Sequence, residues 1–235
     1  MIAAVEQPYF LPYIGYWQLL NAVDLFVILD DVNYIRRGFI NRNSILLNGA
    51  PYRFSIPVKD ASQNKKIMEM RLCFDEKEKQ KFLSRIEYAY KKAPYFSQVF
   101  PFISDIIHNP DEDLTGFIQY SLTSVAAYLG IDTRIIRSSA MDKDNTLTGQ
   151  NRVVEICRLI GADTYINPAG GRKLYDSQTF HKENMELFFL DTRHENVVYP
   201  QFNNPFVGML SIIDVMMFNP TDKIQYFLKE YDLNG

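Results

Sequence analysis

The sequence has only two cysteines and three histidines among its 235 residues, which limits the kinds of site it can build. Cys73 and Cys157 lie far apart and outside any CxxC motif, and His181 and His194 are not at metal-ligand spacing. Two isolated cysteines are typical of reduced thiols in a cytosolic protein. We therefore expect no metal site, and the sequence indicates no particular cofactor.

Long apolar runs and a strong charge of either sign are also missing. No segment reaches the ~18–20 apolar residues of a membrane-spanning helix. The opening Met-Ile-Ala-Ala-Val-Glu has neither the basic region nor the cleavage signal of a secretory leader. The formal net charge of −3 provides no general attraction to nucleic acid. These absences predict a cytoplasmic protein with no transmembrane segment and no nucleic-acid partner.

The sequence does contain enough apolar material for a globular core. Hydrophobic residues make up 47% of the chain and charged residues 23%, which excludes wholesale disorder. There is no repeat, low-complexity tract or flexible linker. We expect one domain over residues 1–235 with a helical insertion at approximately residues 75–130, and a division into two domains near that insertion is the alternative.

Apolar runs alternate with turn signals in a way that predicts an α/β fold. A strand at residues 2–6, a helix at 13–22 and an apolar strand at 25–29 make a βαβ unit. Asn48-Gly49 is the turn signal of a predicted hairpin with strands at 44–47 and 52–56. Further helices are predicted at 76–92, 96–108, 114–129, 148–160 and 207–218, with strands at 133–137, 164–167 and 187–190. The expected architecture is a Rossmann-like, mainly parallel sheet with flanking helices, a β-hairpin excursion and the helical insertion.

The first candidate site follows the first predicted strand. Gln7 stands at the carboxyl end of that strand, where open α/β sheets bind ligands. Pro8 and Pro12 restrict the loop that follows, and Gly15 permits a close approach at the helix start. Packing of the aromatic residues under this loop is the alternative explanation. We expect Gln7, Tyr9 and Tyr16 to bind substrate.

The second candidate site follows the strand at 25–29. Asp30 and Asp31 are adjacent carboxylates that suit a general base or a ligand anchor. The arginines that follow suit phosphate or carboxylate binding. Alternatively, Asp30 caps a turn and Asp31 pairs with an arginine. We expect catalysis by Asp30 and Asp31, and the expected substrate-binding residues are Asn33, Arg37, Asn41, Arg42 and Asn43.

Later segments supply weaker candidates. Gly170, Gly171 and Arg172 follow a predicted strand and could bind an anion through backbone N–H groups, although a plain turn explains them equally well. Tyr199 and Gln201 lie in a polar loop that we expect to line the same cleft. Ser211 and Asp214 have no recognisable base nearby, so we expect a buried hydrogen-bonded pair and not a nucleophile.

Tyr13-Ile14-Gly15-Tyr16 occupies the place of the HxGH motif that nucleotidyltransferases and class I synthetases carry after their first strand. Those histidines stabilise negative charge on a transferring phosphate, which tyrosine cannot do as a cation. The layout favours a nucleotide-binding core but argues against adenylyl transfer by the same residues.

These opening segments also carry a resemblance to a known family. Residues 7–20 and 23–31, then Asn33-Tyr34 and Asn41-Arg42-Asn43, resemble the WbqC-like protein family, and the resemblance continues at 90–96, 161–166, 199–201 and 210–214. Family members occur in gene clusters for O-antigen and other bacterial surface polysaccharides, and the resemblance implies a glycine-transferase role. One departure is Glu6, which stands where the family pattern often has histidine.

The leading expectation is a transferase that acts on a sugar or sugar-nucleotide intermediate of surface polysaccharide. Its small-molecule partners would include a nucleotide-sugar or an aminoacyl donor, with glycyl or aminoacyl transfer as the implied reaction. One alternative is a non-catalytic nucleotide- or carbohydrate-binding protein, suggested by the many tyrosines and phenylalanines and by the lack of a recognisable nucleophile–base pair. The other is a nucleotidyltransferase-like enzyme. The sequence does not define the oligomeric state.

Overall fold

The strands and helices of the chain form a layered α/β structure. A computed structural model describes all residues from Met1 to Gly235. The strands are β1 (Ile2–Glu6), β2 (Leu25–Ile28), β3 (Arg42–Leu47), β4 (Ala50–Ser55), β5 (Val58–Lys59), β6 (Arg71–Leu72), β7 (Arg134–Arg137), β8 (Thr164–Pro168), β9 (Glu186–Thr192) and β10 (Tyr231–Asn234). The α-helices are α1 (Ile14–Asn21), α2 (Glu76–Tyr90), α3 (Phe96–Ile107), α4 (Leu114–Leu129), α5 (Gly149–Ile160), α6 (Ser177–Lys182), α7 (Ile212–Phe218) and α8 (Thr221–Phe227).

The main sheet has six strands in the order β10-β9-β8-β1-β2-β7. All neighbouring pairs are parallel except β10 with β9, so the sheet is mainly parallel with one antiparallel edge strand. Two small antiparallel pairs, β3–β4 and β5–β6, lie outside it. The predicted α/β fold with a mainly parallel sheet and a hairpin excursion is confirmed.

The path of the chain reverses beside β1. From β1 the chain adds β2 and then β7 on one side, and α5 then carries it back to β8 on the other side of β1. In open α/β sheets such a reversal leaves a crevice outside the carboxyl ends of the two strands, and ligands bind there. The fold therefore places a ligand crevice between the ends of β1 and β8.

Both faces of the sheet are covered, which explains why its central strands are continuously apolar. Because side chains alternate between the faces, Ala4 contributes to a cluster of 51 buried residues, while Ala3 and Val5 contribute to a second cluster of 14. α1 packs in the larger cluster and α5 in the smaller one. The helices α2, α3 and α4 fall between β6 and β7, and their buried residues belong to the larger cluster.

The hairpin illustrates how local sequence determines an element. Asn48 and Gly49 connect β3 to β4 and both have positive φ angles, 52° and 75°. Two-residue hairpin turns with left-handed backbone at both positions favour Asn-Gly, because this backbone matches the twist of the flanking strands. The predicted hairpin is confirmed.

The predicted helix at 207–218 is wrong in its first turn, because α7 begins only at Ile212. Ser211 caps α7, and its backbone N–H donates instead to the Ser44 carbonyl of β3 at 2.8 Å. Met209, inside the predicted helix, has a φ of 59°. The apolar composition of this segment reflects packing against the hairpin and not helical periodicity. α6 and β10 were not predicted. None of the helices has the combination of length and apolarity needed to cross a bilayer.

Candidate functional site

A cavity of about 960 Å³ lies at the carboxyl edge of the sheet, where the strand order reverses. The ends of β1, β2 and β8 form its wall together with the first turns of α1 and α5. We call it the strand-end cavity, and its volume is that of a small-molecule site. The charged side chains of its wall are Glu6, Asp31, Lys66 and Arg152, and the amide side chains are Gln7, Asn33, Asn43, Asn145, Gln150 and Asn167.

The structure divides the residues predicted from the sequence into two groups. Those that line the strand-end cavity are Gln7, Tyr9, Tyr16, Asp31, Asn33, Asn43, Gly170 and Gly171. Those that do not line it are Asp30, Arg37, Asn41, Arg42, Arg172, Tyr199 and Gln201. Within the segment after β2 the two groups alternate, because Asn33 and Asn43 line the strand-end cavity whereas Arg37, Asn41 and Arg42 line a second cavity.

The segment after β1 holds aromatic side chains against the cavity. The Tyr16 hydroxyl donates to the Gln7 carbonyl at 2.9 Å, and the rings of Tyr9 and Tyr16 lie 5.5 Å apart. Gly15 is required here because a Cβ would lie 2.5 Å from Cε2 of Tyr13. The close approach predicted at Gly15 is therefore to the ring of a neighbouring tyrosine.

Glu6 is a cavity residue to which the sequence analysis assigned no role. Its side chain makes no ion pair and no hydrogen bond to another side chain, and it is accessible only partly, through the cavity. Burial raises the pKa of the Glu6 carboxyl to about 7, against a smaller lowering effect of a backbone hydrogen bond from Gln7. The sequence contains one signal for Glu6, since an acidic residue ends an apolar strand immediately before Gln-Pro.

The hydroxyls around Glu6 remain protonated at neutral pH. Burial raises the pKa values of Tyr9, Tyr13, Tyr16 and Tyr175, and the negative charge of Glu6 raises each of them further. All four side chains line the strand-end cavity together with Glu6. They are neutral hydrogen-bonding groups and not candidate nucleophiles.

The two aspartates after β2 have different surroundings. Asp30 is fully buried outside the cavity, and its carboxylate accepts hydrogen bonds from the backbone N–H and the hydroxyl of Ser139, at 2.9 and 2.7 Å. It therefore fastens the turn after β7 to the end of β2.

Asp31 lies in the cavity wall within a buried ion pair. Its carboxylate is 2.8 Å from Nζ of Lys143 and 3.7 Å from Nη1 of Arg152. Burial alone would raise the pKa of Asp31, but hydrogen bonding from Lys143 and Ser138 and the charges of Lys143 and Arg152 outweigh it and lower the pKa. Asp31 is an ionised and charge-compensated carboxylate.

Arg152 also fixes the segment that leads into α5. Its guanidinium donates to the carbonyls of Leu147, Asn145 and Asp31, at 2.8, 3.0 and 3.0 Å. Thr148 precedes the helix without a side-chain cap, and Thr148, Gly149 and Gln150 line the cavity. Uncapped N–H groups and the positive end of the helix dipole suit an anion. The sequence did not reveal this contribution, because α5 is far from β1 along the chain.

The loop after β8 closes the opposite side of the cavity. Asn167 is held by its neighbours, since its Oδ1 accepts from the Tyr165 hydroxyl at 2.9 Å and its Nδ2 donates to the Pro168 carbonyl at 2.9 Å. A Cβ on Gly171 would lie 1.9 Å from Nδ2 of Asn167, so only glycine fits. Arg172 points to the surface and pairs with Asp191 at 2.5 Å.

The remaining arginines form a second, open cavity of about 520 Å³, which we call the arginine pocket. Its wall consists of Tyr34, Arg36, Arg37, Asn41, Arg42, Ser55, Ala61 and Gln63, and it contains no acidic residue. Nε of Arg42 donates to the Gly38 carbonyl at 2.9 Å, which fixes the guanidinium. Arg37 has a φ of 65°, a left-handed backbone that is strained for a residue other than glycine.

Tyr199 and Gln201 lie in a buried polar cluster away from both cavities. They donate to Oδ2 of Asp214 at 2.8 and 2.6 Å, while the hydroxyl of Tyr90 in α2 donates to Oδ1 at 2.7 Å. Ser211 and Asp214 are both buried, but the Ser211 hydroxyl donates to the Leu11 carbonyl, so their side chains do not pair.

No cluster of three or more His, Cys, Asp and Glu side chains is arranged to hold a metal ion. The wall of the strand-end cavity contains neither histidine nor cysteine. The groups available for chemistry there are carboxylates, amides, tyrosine hydroxyls, one lysine and one arginine.

The comparisons with known proteins cover nearly the whole chain. The pattern of the WbqC-like protein family matches residues 7–226. An uncharacterized protein of Mycobacterium tuberculosis is 25% identical over 218 residues, which is 92% of this chain and 92% of that protein. No solved structure matches the chain.

Proposed function

We propose that this chain, which belongs to the WbqC-like protein family, is a cytoplasmic transferase whose strand-end cavity binds a sugar or nucleotide-sugar intermediate of bacterial surface-polysaccharide synthesis. The implied reaction is transfer of a glycyl or other aminoacyl group to that intermediate. The observation that carries the proposal is the position of an apolar and aromatic cavity of about 960 Å³ at the reversal point of a mainly parallel sheet. The free thiols of Cys73 and Cys157 fit a reducing compartment.

The wall of the cavity suits the two halves of such a ligand. Tyrosine rings, such as those of Tyr9 and Tyr16, pack against sugars and bases, and the nearby amides provide directional hydrogen bonds. The uncapped start of α5 and the backbone of Gly170 and Gly171 are suited to phosphate oxygens.

The arginine pocket is the proposed site for an anionic group that extends beyond the cavity. The pocket lies on the other side of the loop that carries Asn33 and Phe39 into the cavity wall. Arg36, Arg37 and Arg42 have no ion-pair partner, so their charge is available to a phosphate or carboxylate.

The catalytic role expected for the aspartates is proposed for Asp31, with Asp30 as a positioning residue. Asp31 lies in the cavity wall and is ionised, as a ligand anchor or general base must be. Asp30 acts only through Ser139, because both of its oxygens are occupied there.

A thermal-shift screen with UDP-glucose, UDP and glycyl-adenylate analogues tests the proposal. A ligand at ~100 times its dissociation constant stabilises the folded state by about 2.7 kcal/mol. Gln7→Ala removes a cavity amide that has no hydrogen bond within the protein, and we expect about a 3- to 10-fold weaker affinity from the lost ligand bond. Lys173→Ala, an exposed position beside the cavity loop, is the matched control and should bind normally.

The arginine pocket is tested with the same ligands. Arg36→Ala combined with Arg37→Ala should weaken binding of the phosphorylated ligands and reduce its dependence on salt, whereas Arg134→Ala at the opposite edge of the sheet should not. If none of the ligands stabilises the protein, or if the Gln7 variant and its control respond alike, the proposed substrate class is wrong.

A binding protein without catalysis is the second candidate. The cavity wall has no histidine and no cysteine, and burial keeps its tyrosine hydroxyls protonated, which favours recognition over nucleophilic catalysis. Mass spectrometry of the nucleotide-sugar after incubation with an aminoacyl donor separates the two, since any modified product eliminates this candidate. Nucleotidyl transfer is disfavoured because the raised pKa values of Tyr13 and Tyr16 keep these side chains neutral.

A further inference from the structure

Glu6 has no basic partner, unlike the other carboxylate of the strand-end cavity. Asp31 is paired with Lys143 and Arg152, and Arg152 is further occupied by three backbone carbonyls. Glu6 receives only a hydrogen bond from the backbone of Gln7, and no basic side chain lowers its pKa. A desolvated carboxylate is stabilised by a cationic partner, so a cation supplied by a ligand would complete the surroundings of Glu6 in the cavity wall.

The surroundings of Glu6 determine which kind of partner fits. Tyr9, Tyr13, Tyr16 and Tyr175 line the same cavity, close enough to feel its charge. Aromatic rings attract cations by their negative faces, and a desolvated carboxylate attracts an ammonium group strongly. A metal ion is not favoured, because the other carboxylate of the wall, Asp31, is paired with Lys143 and Arg152, and the wall contains no histidine or cysteine.

We propose that the strand-end cavity binds a primary ammonium group, with the Glu6 carboxylate as its counter-ion and the tyrosines around it. The ligand class is therefore an amine with an apolar or sugar-like body, such as an amino sugar. The inference rests on the proposed function only in using the same cavity. It names the substrate class there, because the free amine, formed when the ammonium group gives a proton to Glu6, can attack the carbonyl carbon of an aminoacyl donor and displace its leaving group, AMP in the case of glycyl-adenylate.

The probe pair for the test is cyclohexylamine and cyclohexanol, which differ in charge and little in shape. At pH 8.0 an aliphatic amine with a pKa of about 10 is protonated. We expect the amine to bind the wild-type protein at least about tenfold more tightly than the alcohol, measured by calorimetry and thermal shift. Glu6→Gln should remove this difference, while Glu186→Gln, an exposed acid at the opposite edge of the sheet, should retain it.

The wild-type protein provides a second measurement that requires no variant. With a Glu6 pKa of about 7, affinity for cyclohexylamine should fall about 30-fold between pH 8.0 and 5.5, and that for cyclohexanol should not change. The other titratable or charged groups facing Glu6 are Tyr9, Tyr13, Tyr16, Tyr165, Tyr175, Asp31, Lys66 and Arg152. The pKa values of these tyrosines are raised and that of Asp31 is lowered, away from this pH range.

Equal affinity for amine and alcohol, or amine binding that survives Glu6→Gln, would overturn the inference. Its failure is distinguishable from failure of the proposed function, because the probes contain neither nucleotide nor sugar. Amine binding without any response to UDP-glucose would support the ammonium site and contradict the proposal that the substrate is a nucleotide-sugar. A response to UDP-glucose without amine selectivity would do the reverse.

Discussion

Burial makes the charge of the Glu6 side chain sensitive to pH near neutrality. Its folded-state pKa of about 7 lies above the ordinary value of 4.5, because burial penalises the carboxylate. At pH values between 4.5 and about 7, the Glu6 carboxyl of the folded protein retains a proton that the unfolded chain has lost. The free energy of unfolding therefore falls as the pH rises through this window and levels off above about pH 7.

Glu6→Gln should abolish this contribution. We expect the variant to match the wild type at pH 4.5 and to be more stable at pH 8, by at most about 3 kcal/mol. Urea unfolding at both pH values measures the difference, with Glu87→Gln on the exposed face of α2 as control. A difference independent of pH would contradict a raised pKa at Glu6.

The adjacent glycines of the β8 loop make a second comparison at the scale of single residues. A Cβ at position 171 meets the amide of Asn167 at 1.9 Å, whereas a Cβ at position 170 meets nothing within 4 Å. Gly171→Ala should thus destabilise the protein by about 1–3 kcal/mol, as over-packing does, and Gly170→Ala should be close to neutral. Thermal denaturation of the two variants checks this, and equal melting temperatures would disprove the close approach.

At the scale of elements, the predictable parts were those that depend on local sequence. β1, β2 and the hairpin were predicted within a residue or two because apolar runs and Asn-Gly are local signals. α7 was placed too early, since an apolar segment packed against the hairpin has the same composition as a helix. In the site, Gln7 was found from its strand end, but the start of α5 was missed because only the crossover brings it to β1.

The segment between β7 and α5 contributes Lys143 to a buried ion pair with Asp31. Lys143 is 1% exposed and its partner Asp31 is 3% exposed, so neither charge is solvated. Lys143→Met leaves Asp31 buried with only the more distant Arg152, and we expect a loss of about 3–5 kcal/mol. Lys92→Met on the surface should be near neutral, and urea denaturation measures both.

A second substitution distinguishes the two causes of the stability loss in Lys143→Met, the missing charge partner and the lost packing. Asp31→Asn in the Lys143→Met background removes the uncompensated charge, so it should recover part of the lost stability. No recovery would show that Lys143 contributes through its methylene chain.

At the scale of the whole molecule, Asp214 connects distant parts of the chain. It accepts hydrogen bonds from Tyr90 at the end of α2 and from Tyr199 and Gln201 before α7. Burial raises the pKa of Asp214, and these three hydrogen bonds oppose that rise. The helices at 76–129 are thereby joined to the carboxyl-terminal part by a polar cluster as well as by apolar packing.

Asp214→Ala should therefore destabilise the whole protein and not one part of it. It leaves two buried hydroxyls without an acceptor and removes one of the two acceptors of the Gln201 amide, at a cost of about 3 kcal/mol. Far-ultraviolet circular dichroism and tyrosine fluorescence should show one shared transition, shifted to lower temperature. Two separate transitions would favour a division of the chain near residues 75–130, and Asp222→Ala on the surface is the control.

The loop of residues 32–41 is a wall common to two cavities. Asn33 and Phe39 lie in the strand-end cavity, and Arg36 and Arg37 lie in the arginine pocket. A ligand that shifts this loop on one side changes the shape of the other, so the two binding equilibria are thermodynamically linked. If an anion in the arginine pocket changes the affinity of the strand-end cavity for its ligand by some factor, the cavity ligand changes the affinity of the pocket for the anion by the same factor.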